Sequence, residues 1–199
     1  MSYPNTFYPE LHEYWIGRLQ VPSVTQVLRA VLSGSVWTAT QWHMDRGTAV
    51  HACAAMIANG KAFEYDPAIA GQVTACRQFF ADMHPEVLSV EQQVYHEVYG
   101  YAGTYDLLAV IHGKTVLVDW KSSMSPVAEI QLGGYALAMP KPQPTWGMVV
   151  ELGEDEKYRT GGMVKLARRG QEFLSCLSVF NIRGRLGLEN NKEVATDGN

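Results

Sequence analysis

Hydrophobic residues recur at helical spacing in the first part of the chain. A first helix is predicted between Ser23, which can cap it, and Gly34, which ends it. A second helix is predicted over about 38–58. A third begins at Asp66 as its cap, with Pro67 in the first turn. The first half of the molecule is therefore expected to be mainly helical.

The pattern changes to strands in the middle of the chain. Runs rich in Val, Ile, Thr and Tyr predict strands over Ser89–Tyr99, Thr104–Ile111 and Thr115–Lys121. The tripeptide HGK at 112–114 is short enough to join the last two strands as a hairpin. We expect these strands to form the centre of the fold.

Helices and strands then alternate to the end of the chain. A helix is predicted over 125–139, strands over 145–152 and 157–167, and a closing helix over 168–186. This order predicts an α/β (α+β) fold, in which a central mixed β-sheet is flanked by helices.

Composition limits the kind of protein further. The chain has 199 residues, of which 47% are hydrophobic, so a single domain over 1–186 with a polar tail at 187–199 is expected. No apolar run could cross a bilayer and no secretory signal is visible, so a cytoplasmic protein is expected. The net charge of -4 argues against non-specific coating of nucleic acid, although it allows a local basic groove. Cys53, Cys76 and Cys176 lack paired spacing and are predicted to be buried thiols.

The strand that ends at Lys121 carries an unusual pair of charges. Asp119 and Lys121 are two residues apart, so they point to the same face of the strand. A carboxylate at a strand end suits a hard cation. A lysine beside it can orient or deprotonate a water, or stabilise a developing negative charge. The alternative is a half-exposed ion pair at a strand edge.

Asp106 on the preceding strand makes the metal interpretation stronger. Counted from a turn centred on Gly113, Asp106 lies seven residues back and Asp119 lies six residues forward. Cross-strand neighbours are about 5 Å apart, so both carboxylates can reach one ion. Two like charges this close are unfavourable without a cation, which favours a metal site.

Four further side chains are candidates for the same site. His51 lies in a predicted helix and is either a ligand or a packed core histidine. Gly47, four residues earlier, predicts close packing of another element on that helix. Gln131 and Tyr135 share a helix face and can hold a phosphate or orient the lysine. Glu91 is either a further metal ligand or a solvated strand residue.

Four short motifs together resemble a known family. They are GTAVH at 47–51, GTYD at 103–106, VDWKSS at 118–123 and QLGGY at 131–135. In this order they resemble the RecB-type branch of the PD-(D/E)XK nuclease superfamily, especially phage and mitochondrial-type DNA exonucleases. The resemblance implies a restriction-endonuclease-like core, which agrees with the mixed sheet predicted above.

The resemblance also implies a role for each candidate. The ligands of a Mg²⁺ or Mn²⁺ ion would be His51, Asp106, Asp119 and the backbone carbonyl of Trp120, with Glu91 as a further acid. Lys121 would position the attacking water. Gln131 and Tyr135 would support Lys121 or a DNA phosphate. Many relatives have glutamate where this chain has Asp119. Three scattered cysteines do not match the iron–sulfur cluster of some relatives, so none is expected.

The function implied by the resemblance is divalent-metal-dependent hydrolysis of DNA. An exonuclease acting on DNA ends, in replication, repair or recombination, is expected, and a phage context would suit it. Four alternatives stay open. They are a catalytically weak nucleic-acid-binding module on the same fold, an endonuclease, a metal hydrolase with another substrate, and a structural protein whose acid pairs are incidental.

Several basic and aromatic side chains are candidates for holding DNA. The cations are Arg46, Arg159, Lys165, Arg168 and Arg169. The last four can equally be a solvated surface at the start of a helix. Bases of a single strand can stack on aromatic rings, for which the candidates are Trp42, Tyr101 and Trp120. Core packing is the competing use of Trp120.

Overall fold

The computed structural model describes residues 4–32 and 41–188, and within these the side chains of 41–45 are not described. The helices are α1 (Val24–Leu32), α2 (Gln41–Ala58), α3 (Ala70–Met83), α4 (Pro126–Ala138) and α5 (Leu166–Arg185). A short 3₁₀ turn, Pro67–Ile69, precedes α3. None of the helices in these ranges has the length and apolar composition needed to cross a bilayer.

Two β-sheets accompany the helices. The N-terminal sheet consists of β1 (Thr6–Tyr8), β2 (Glu13–Ile16) and β3 (Leu19–Val21). The central sheet consists of β4 (Glu86–His96), β5 (Tyr101–Ile111), β6 (Lys114–Lys121), β7 (Trp146–Leu152), β8 (Tyr158–Thr160) and β9 (Val164–Lys165). Its order is β4-β5-β6-β7-β8, with β9 also paired to β7, and only the β6–β7 pair is parallel. The predicted fold, a mixed sheet flanked by helices, is confirmed.

The β5–β6 hairpin has a tighter turn than the sequence analysis predicted. His112 and Gly113 have φ angles of 49° and 72°, and the ladder begins at once with Ile111 opposite Lys114. A two-residue loop with two left-handed residues matches the twist of a strand pair, and glycine adopts this conformation without strain. The turn centre therefore lies between His112 and Gly113, which shifts the predicted register by one residue.

Each face of the central sheet packs against its own group of helices. On one face Leu117 and Val149 pack with apolar residues of α1, α4 and α5. On the other face Val116, Val118 and Trp120 pack with residues of α2 and α3. Alternation along β6 therefore directs Asp119 and Lys121 to the α1/α4/α5 side.

The sequence analysis missed the N-terminal sheet. Its strands have only three or four residues, too few for a period-two pattern to be recognised. It attaches to the central sheet through the packing of Tyr14, Val21 and Ala102. A backbone bond from the Ala102 N–H to the Pro22 carbonyl continues this attachment at 3.0 Å. The attachment places the sheet beside the start of β5.

Several predicted boundaries are wrong by two or three residues: β4 spans Glu86–His96 rather than Ser89–Tyr99, and β5 begins at Tyr101 rather than Thr104. The predicted strand over 157–167 is two short strands, β8 and β9, and α5 starts two residues earlier than predicted. Asp66 caps the 3₁₀ turn, accepting a bond from the Ala68 N–H at 2.8 Å, and α3 follows it. The single domain over 1–186 stays a prediction, and the predicted tail lies outside the described residues from residue 189 onward.

The three cysteines are free and buried, as predicted. They belong to different parts of the core: Cys176 lies on the α1/α4/α5 side, Cys76 on the α2/α3 side, and Cys53 beside Ile69 and Val73.

Candidate metal-dependent active site

Three carboxylates occupy neighbouring positions on three adjacent strands. Glu91 lies between Val90 and Gln92, whose β5 partners, Leu107 and Tyr105, flank Asp106. The paired positions of β5 and β6 end with Leu107 opposite Val118. Asp106 and Asp119 therefore occupy the next pair of positions along the two strands. We call Glu91, Asp106 and Asp119 the acid row. Residues that are far apart in the sequence therefore form one line across the sheet.

The regular ladder between β5 and β6 ends at the acid row. Beyond Leu107 and Val118, the Trp120 N–H donates to Asp106 Oδ2 at 2.8 Å. The other oxygen of Asp106 lies 3.0 Å from Nδ1 of His51, which α2 contributes. Asp106 is therefore buried, 7% exposed, and bonded through both oxygens.

Glu91 is the strained and incompletely bonded member of the row. Its φ of 50° is uncommon for a non-glycine residue and marks a distortion within β4. Its Oε1 is buried, and no hydrogen-bond partner is found for it among the described residues. Burial and then the nearby Asp106 raise the pKa of Glu91 to about 7. A buried carboxylate oxygen without a partner is unfavourable unless a cation completes it.

Side chains of His51, Glu91 and Asp106 each offer a ligand atom, and these atoms lie within 4.8 Å of one another. This group differs from the predicted ligand set in including Glu91, for which the sequence analysis left two interpretations open. Asp119 lies outside the group and is paired instead with Lys121. The ligand assignments drawn from the sequence stay predictions.

Asp119 and Lys121 form a close ion pair at the end of β6. Lys121 Nζ lies 2.6 Å from Asp119 Oδ2, and the aspartate side chain is 2% exposed. Burial raises the pKa of Asp119 to about 6, although Lys121 acts in the opposite direction. Burial lowers the pKa of Lys121, but Asp119 and Asp106 together more than offset this and raise it. Lys121 is therefore an ammonium at neutral pH.

In the His51–Asp106 pair, burial and the charge of the partner also shift each pKa in opposite directions. Burial alone would lower the pKa of His51, but the charge and hydrogen bond of Asp106 raise it overall. Burial alone would raise the pKa of Asp106, but His51 and then Lys121 lower it overall. The site therefore keeps one carboxylate ionised and bonded, while Glu91 and Asp119 bind protons more readily.

Gln131 and Tyr135 lie one helical turn apart on α4 and bond to each other. The Gln131 Nε2 group donates to the Tyr135 hydroxyl at 2.6 Å and to Oγ1 of Thr25 at 3.3 Å. Burial and then the charge of Asp119 raise the pKa of Tyr135 far above its ordinary value. The phenol is therefore neutral and lies within the electrostatic reach of the acid row. Thr25, near the start of α1, had no signal in the sequence.

Gly103 makes room for Tyr135. A Cβ at Gly103 would lie 2.5 Å from Cε1 of the Tyr135 ring. Gly47 behaves differently, because a Cβ there would meet nothing within 4 Å among the described residues. The close packing predicted at Gly47 is not found among the described residues, while Gly103 has a specific steric role.

These side chains line a cavity of about 520 Å³. The acid row, Lys121, Thr25, Gln131 and Tyr135 all line it. His12 and Tyr14 of the N-terminal part also contribute to its wall. Its volume is in the range of pockets that hold a small molecule.

Arg46 lines the cavity but is tied to other parts of the protein. Its guanidinium lies 2.6 Å from Glu154 Oε1 and donates to the Ala68 carbonyl at 3.0 Å. These contacts connect α2 with the 3₁₀ turn and with the loop between β7 and β8. Its role in DNA contact stays a prediction.

The later basic group is largely paired with carboxylates. Arg159 pairs with Glu151 and Asp155. Arg168 and Arg169 share Glu172, and Arg169 also contacts Glu129. The ammonium of Lys165 lies 5.7 Å from the centre of the Trp146 ring. None of these four residues lines the cavity, and their role in DNA contact stays a prediction.

Two of the three aromatic residues predicted to stack on bases are buried and cannot do so. Tyr101 is fully buried and its hydroxyl donates to the Gly134 carbonyl at 2.9 Å. Trp120 is 2% exposed and packs edge-on against Phe79 at 5.2 Å between ring centres. The stacking prediction is wrong for both. The side chain of Trp42 lies outside the described residues.

No protein-family model and no curated protein matches the chain. Among solved structures the chain is similar to LHK-Exo in complex with dAMP, with 15% identity and a TM-score of 0.42 over 84% of this chain and 89% of that one. It is also similar to an alkaline exonuclease (LHK-Exo) from Laribacter hongkongensis, with 13% identity and a TM-score of 0.33 over 84% and 94% of the two chains. Similarity this distant carries no argument about activity, and the RecB-type branch stays a prediction.

Proposed function

We propose that this protein is a divalent-metal-dependent nuclease that hydrolyses the phosphodiester bonds of DNA, acting as an exonuclease on DNA ends. The observation that carries the proposal is the acid row beside Lys121, in a cavity reached by α1, α2 and α4. A binding module would not need three carboxylates on adjacent strands, since like charges this close oppose each other and also repel the DNA backbone.

The side chains at the site suit a hard cation. Carboxylate oxygens and one imidazole nitrogen are donors that Mg²⁺ and Mn²⁺ accept. The buried Oε1 of Glu91, which has no hydrogen-bond partner among the described residues, is the observation that most directly supports an ion here. His51, Glu91 and Asp106 would hold it, with Asp119 and the Trp120 carbonyl as further ligands. Such an ion offsets phosphate charge and makes a bound water more acidic.

Lys121 supplies the second part of the chemistry. Asp119 and Asp106 raise the pKa of Lys121 in the metal-free protein, so its side chain would be a donor and a positive charge there. An ammonium 2.6 Å from Asp119 is held where it can orient a water and stabilise the charge that develops on the phosphate. Gln131 and Tyr135 present further polar atoms to the same cavity and would hold a phosphate oxygen.

The shape of the cavity favours a strand end as substrate. A pocket of about 520 Å³ fits a nucleotide-sized group better than an uninterrupted duplex. The N-terminal part of the chain contributes His12 and Tyr14 to its wall. A frayed or single-stranded end could enter where a duplex could not.

The test is degradation of end-labelled single-stranded, blunt duplex and circular DNA, with Mg²⁺, Mn²⁺ or EDTA. Wild type is compared with Lys121→Ala and with a matched control, Lys114→Ala, at the other end of the same strand. We expect loss of linear DNA only with metal, survival of circles, an inactive Lys121→Ala and an active Lys114→Ala.

Other outcomes would change the conclusion in defined ways. If circles are also cut, the protein is an endonuclease that uses the same chemistry. If wild type leaves every substrate intact in both metals, the catalytic proposal fails. DNA binding without cleavage would then favour a binding module.

A further inference from the structure

His12 is an exposed ring that lines the same cavity as the acid row, although no sequence motif includes it. It belongs to the turn between β1 and β2, where its N–H donates to the Pro9 carbonyl at 3.2 Å. Its φ of 51° is left-handed, a conformation in which histidine is enriched among non-glycine residues. The turn therefore directs the imidazole by its backbone geometry.

Two aromatic rings fix the imidazole from the side. His12 makes perpendicular contacts with Phe7 and Tyr14, at 5.6 and 5.7 Å between ring centres. Phe7 and Tyr14 themselves stack at 4.5 Å. Among the described side chains, those of 4–32 and 46–188, no ring stacks parallel to His12. Perpendicular contacts position the ring and leave a face of it for a flat partner.

The position of His12 is coupled to the acid row. The Tyr14 hydroxyl is 2.9 Å from Oγ1 of Thr104, which lies two residues before Asp106 on β5. Tyr14 is 1% exposed, so this connection is rigid. A group that binds on His12 is therefore held at a set position relative to the carboxylates.

We propose that His12 is a nucleobase-stacking residue, which takes the base of a single-stranded DNA end whose phosphate lies at the acid row. The proposal rests on the proposed nuclease function and adds the contact that selects an unpaired base. Stacking on an aromatic ring needs an exposed base face, which a base inside a duplex stack does not offer. Partial burial at the cavity wall lowers the pKa of His12, so a neutral ring is presented near pH 7.

The test measures binding of fluorescent single-stranded oligonucleotides in Ca²⁺, which replaces Mg²⁺ to prevent hydrolysis. One abasic nucleotide is moved position by position from the end of the oligonucleotide. For wild type we expect one position at which the missing base weakens binding by roughly 5- to 100-fold, the range measured for one stacked base.

The variants separate stacking from a structural effect. His12→Asn keeps a residue that tolerates the left-handed turn but has no ring, so it should bind the intact and abasic strands equally. His12→Tyr should restore the difference between them. Leu11→Ala is the matched control, because Leu11 is 67% exposed and does not line the cavity. Thermal melting checks that each variant is folded.

Two results would overturn the inference. If His12→Asn weakens intact and abasic strands equally, or weakens neither, His12 does not stack on a base. If wild type cleaves DNA with metal but shows no abasic-sensitive position, the stacking inference fails while the nuclease proposal stands. A wild type that neither binds nor cleaves DNA removes both.

Discussion

The two ends of the β5–β6 strand pair are equally buried but chemically opposite. Near the turn, Ile111 and Val116 are fully buried and apolar, and the ladder is regular. At the other end Asp106 and Asp119 are 7% and 1% exposed, and the ladder gives way to a side-chain bond from the Trp120 N–H. The same two strands thus change from a hydrophobic core to a charged site within a few residues.

The difference shows what a buried charge requires. Asp106 has His51 and a backbone N–H, and Asp119 has Lys121. Buried charges seldom add stability compared with apolar residues of similar volume, so their presence here indicates function. Glu91 shows this most clearly, because its Oε1 lacks a partner among the described residues and its backbone is left-handed.

The largest effect is expected at the charged end. Asp106→Asn keeps the size of the side chain and an acceptor for the Trp120 N–H, but removes the negative charge. We expect DNA hydrolysis to fall by at least about 10²- to 10³-fold, since preorganised electrostatic groups contribute on this scale. Single-turnover rates with Mn²⁺ measure it, and circular dichroism checks the fold. Activity within a few-fold of wild type would contradict the proposed role.

A substitution near the β5–β6 turn should lower the stability of the protein and leave its activity almost unchanged. Ile111→Ala creates a cavity among residues of the α2/α3 side and should lower the free energy of unfolding by about 2–5 kcal/mol. Its rate of DNA hydrolysis per folded molecule should stay within a few-fold of wild type. Urea unfolding and active-site titration measure the two quantities. A collapse of activity in fully folded protein would show that the two ends are not independent.

The stability of the metal-free protein, and the increase in Tm when it binds a metal ion, should both depend on pH. Because the pKa of Glu91 is raised from 4.5 to about 7, the folded metal-free protein binds more protons than the unfolded chain between these values. Its stability should therefore fall as the pH rises through this window. A cation binds the ionised carboxylates, so the increase in Tm with Mn²⁺ should be larger at pH 8 than at pH 6. An equal increase at both pH values would argue against Glu91 as a ligand.

Replacement of Gly103 and of Gly47 by alanine should have smaller effects on stability, and the two effects can be compared directly. Gly103→Ala places a Cβ against the Tyr135 ring and should lower stability by about 1–3 kcal/mol, with reduced activity. Gly47→Ala meets nothing within 4 Å among the described residues, so it should raise helix stability by up to about 1 kcal/mol. Thermal unfolding of both variants measures the contrast. Similar destabilisation by both would mean that the steric role assigned to Gly103 is wrong.

The smallest effect is expected far from the charged end. The Arg168 side chain is 85% exposed and pairs with Glu172 within one helical turn. Arg168→Ala should change the free energy of unfolding by less than about 1 kcal/mol, as exposed ion pairs do. Because Glu172 already offsets its charge, DNA affinity at 100 mM salt should stay within about two-fold of wild type. A larger loss would instead support the predicted DNA contact.

Part of this site could be predicted from the spacing of side chains within single strands and helices. Asp119 and Lys121 share a face because side chains alternate along a strand. In the structure Lys121 Nζ lies 2.6 Å from Asp119 Oδ2. Asp106 came opposite Asp119 because a short turn joins their strands, although the predicted register was one residue off. Gln131 and Tyr135 bond because residues four apart in a helix are neighbours.

Other features depend on contacts that no local pattern encodes. Thr25 reaches Gln131 across 106 residues of sequence. Arg169 pairs with Glu129, which lies on another helix. Glu91 has a left-handed backbone conformation within β4. Its part in the site is seen only in the folded protein, where it lies beside Asp106.

The sequence by itself determined the helices and the longer strands, their order, and the chemistry available at the end of β6, because spacing of two or four residues is a property of strands and helices. Only the tertiary structure decided which charges meet. Packing of α1, α2 and α4 around the sheet sets whether a carboxylate finds a cation, a proton or no partner, and it brings the His12 ring to the wall of the cavity.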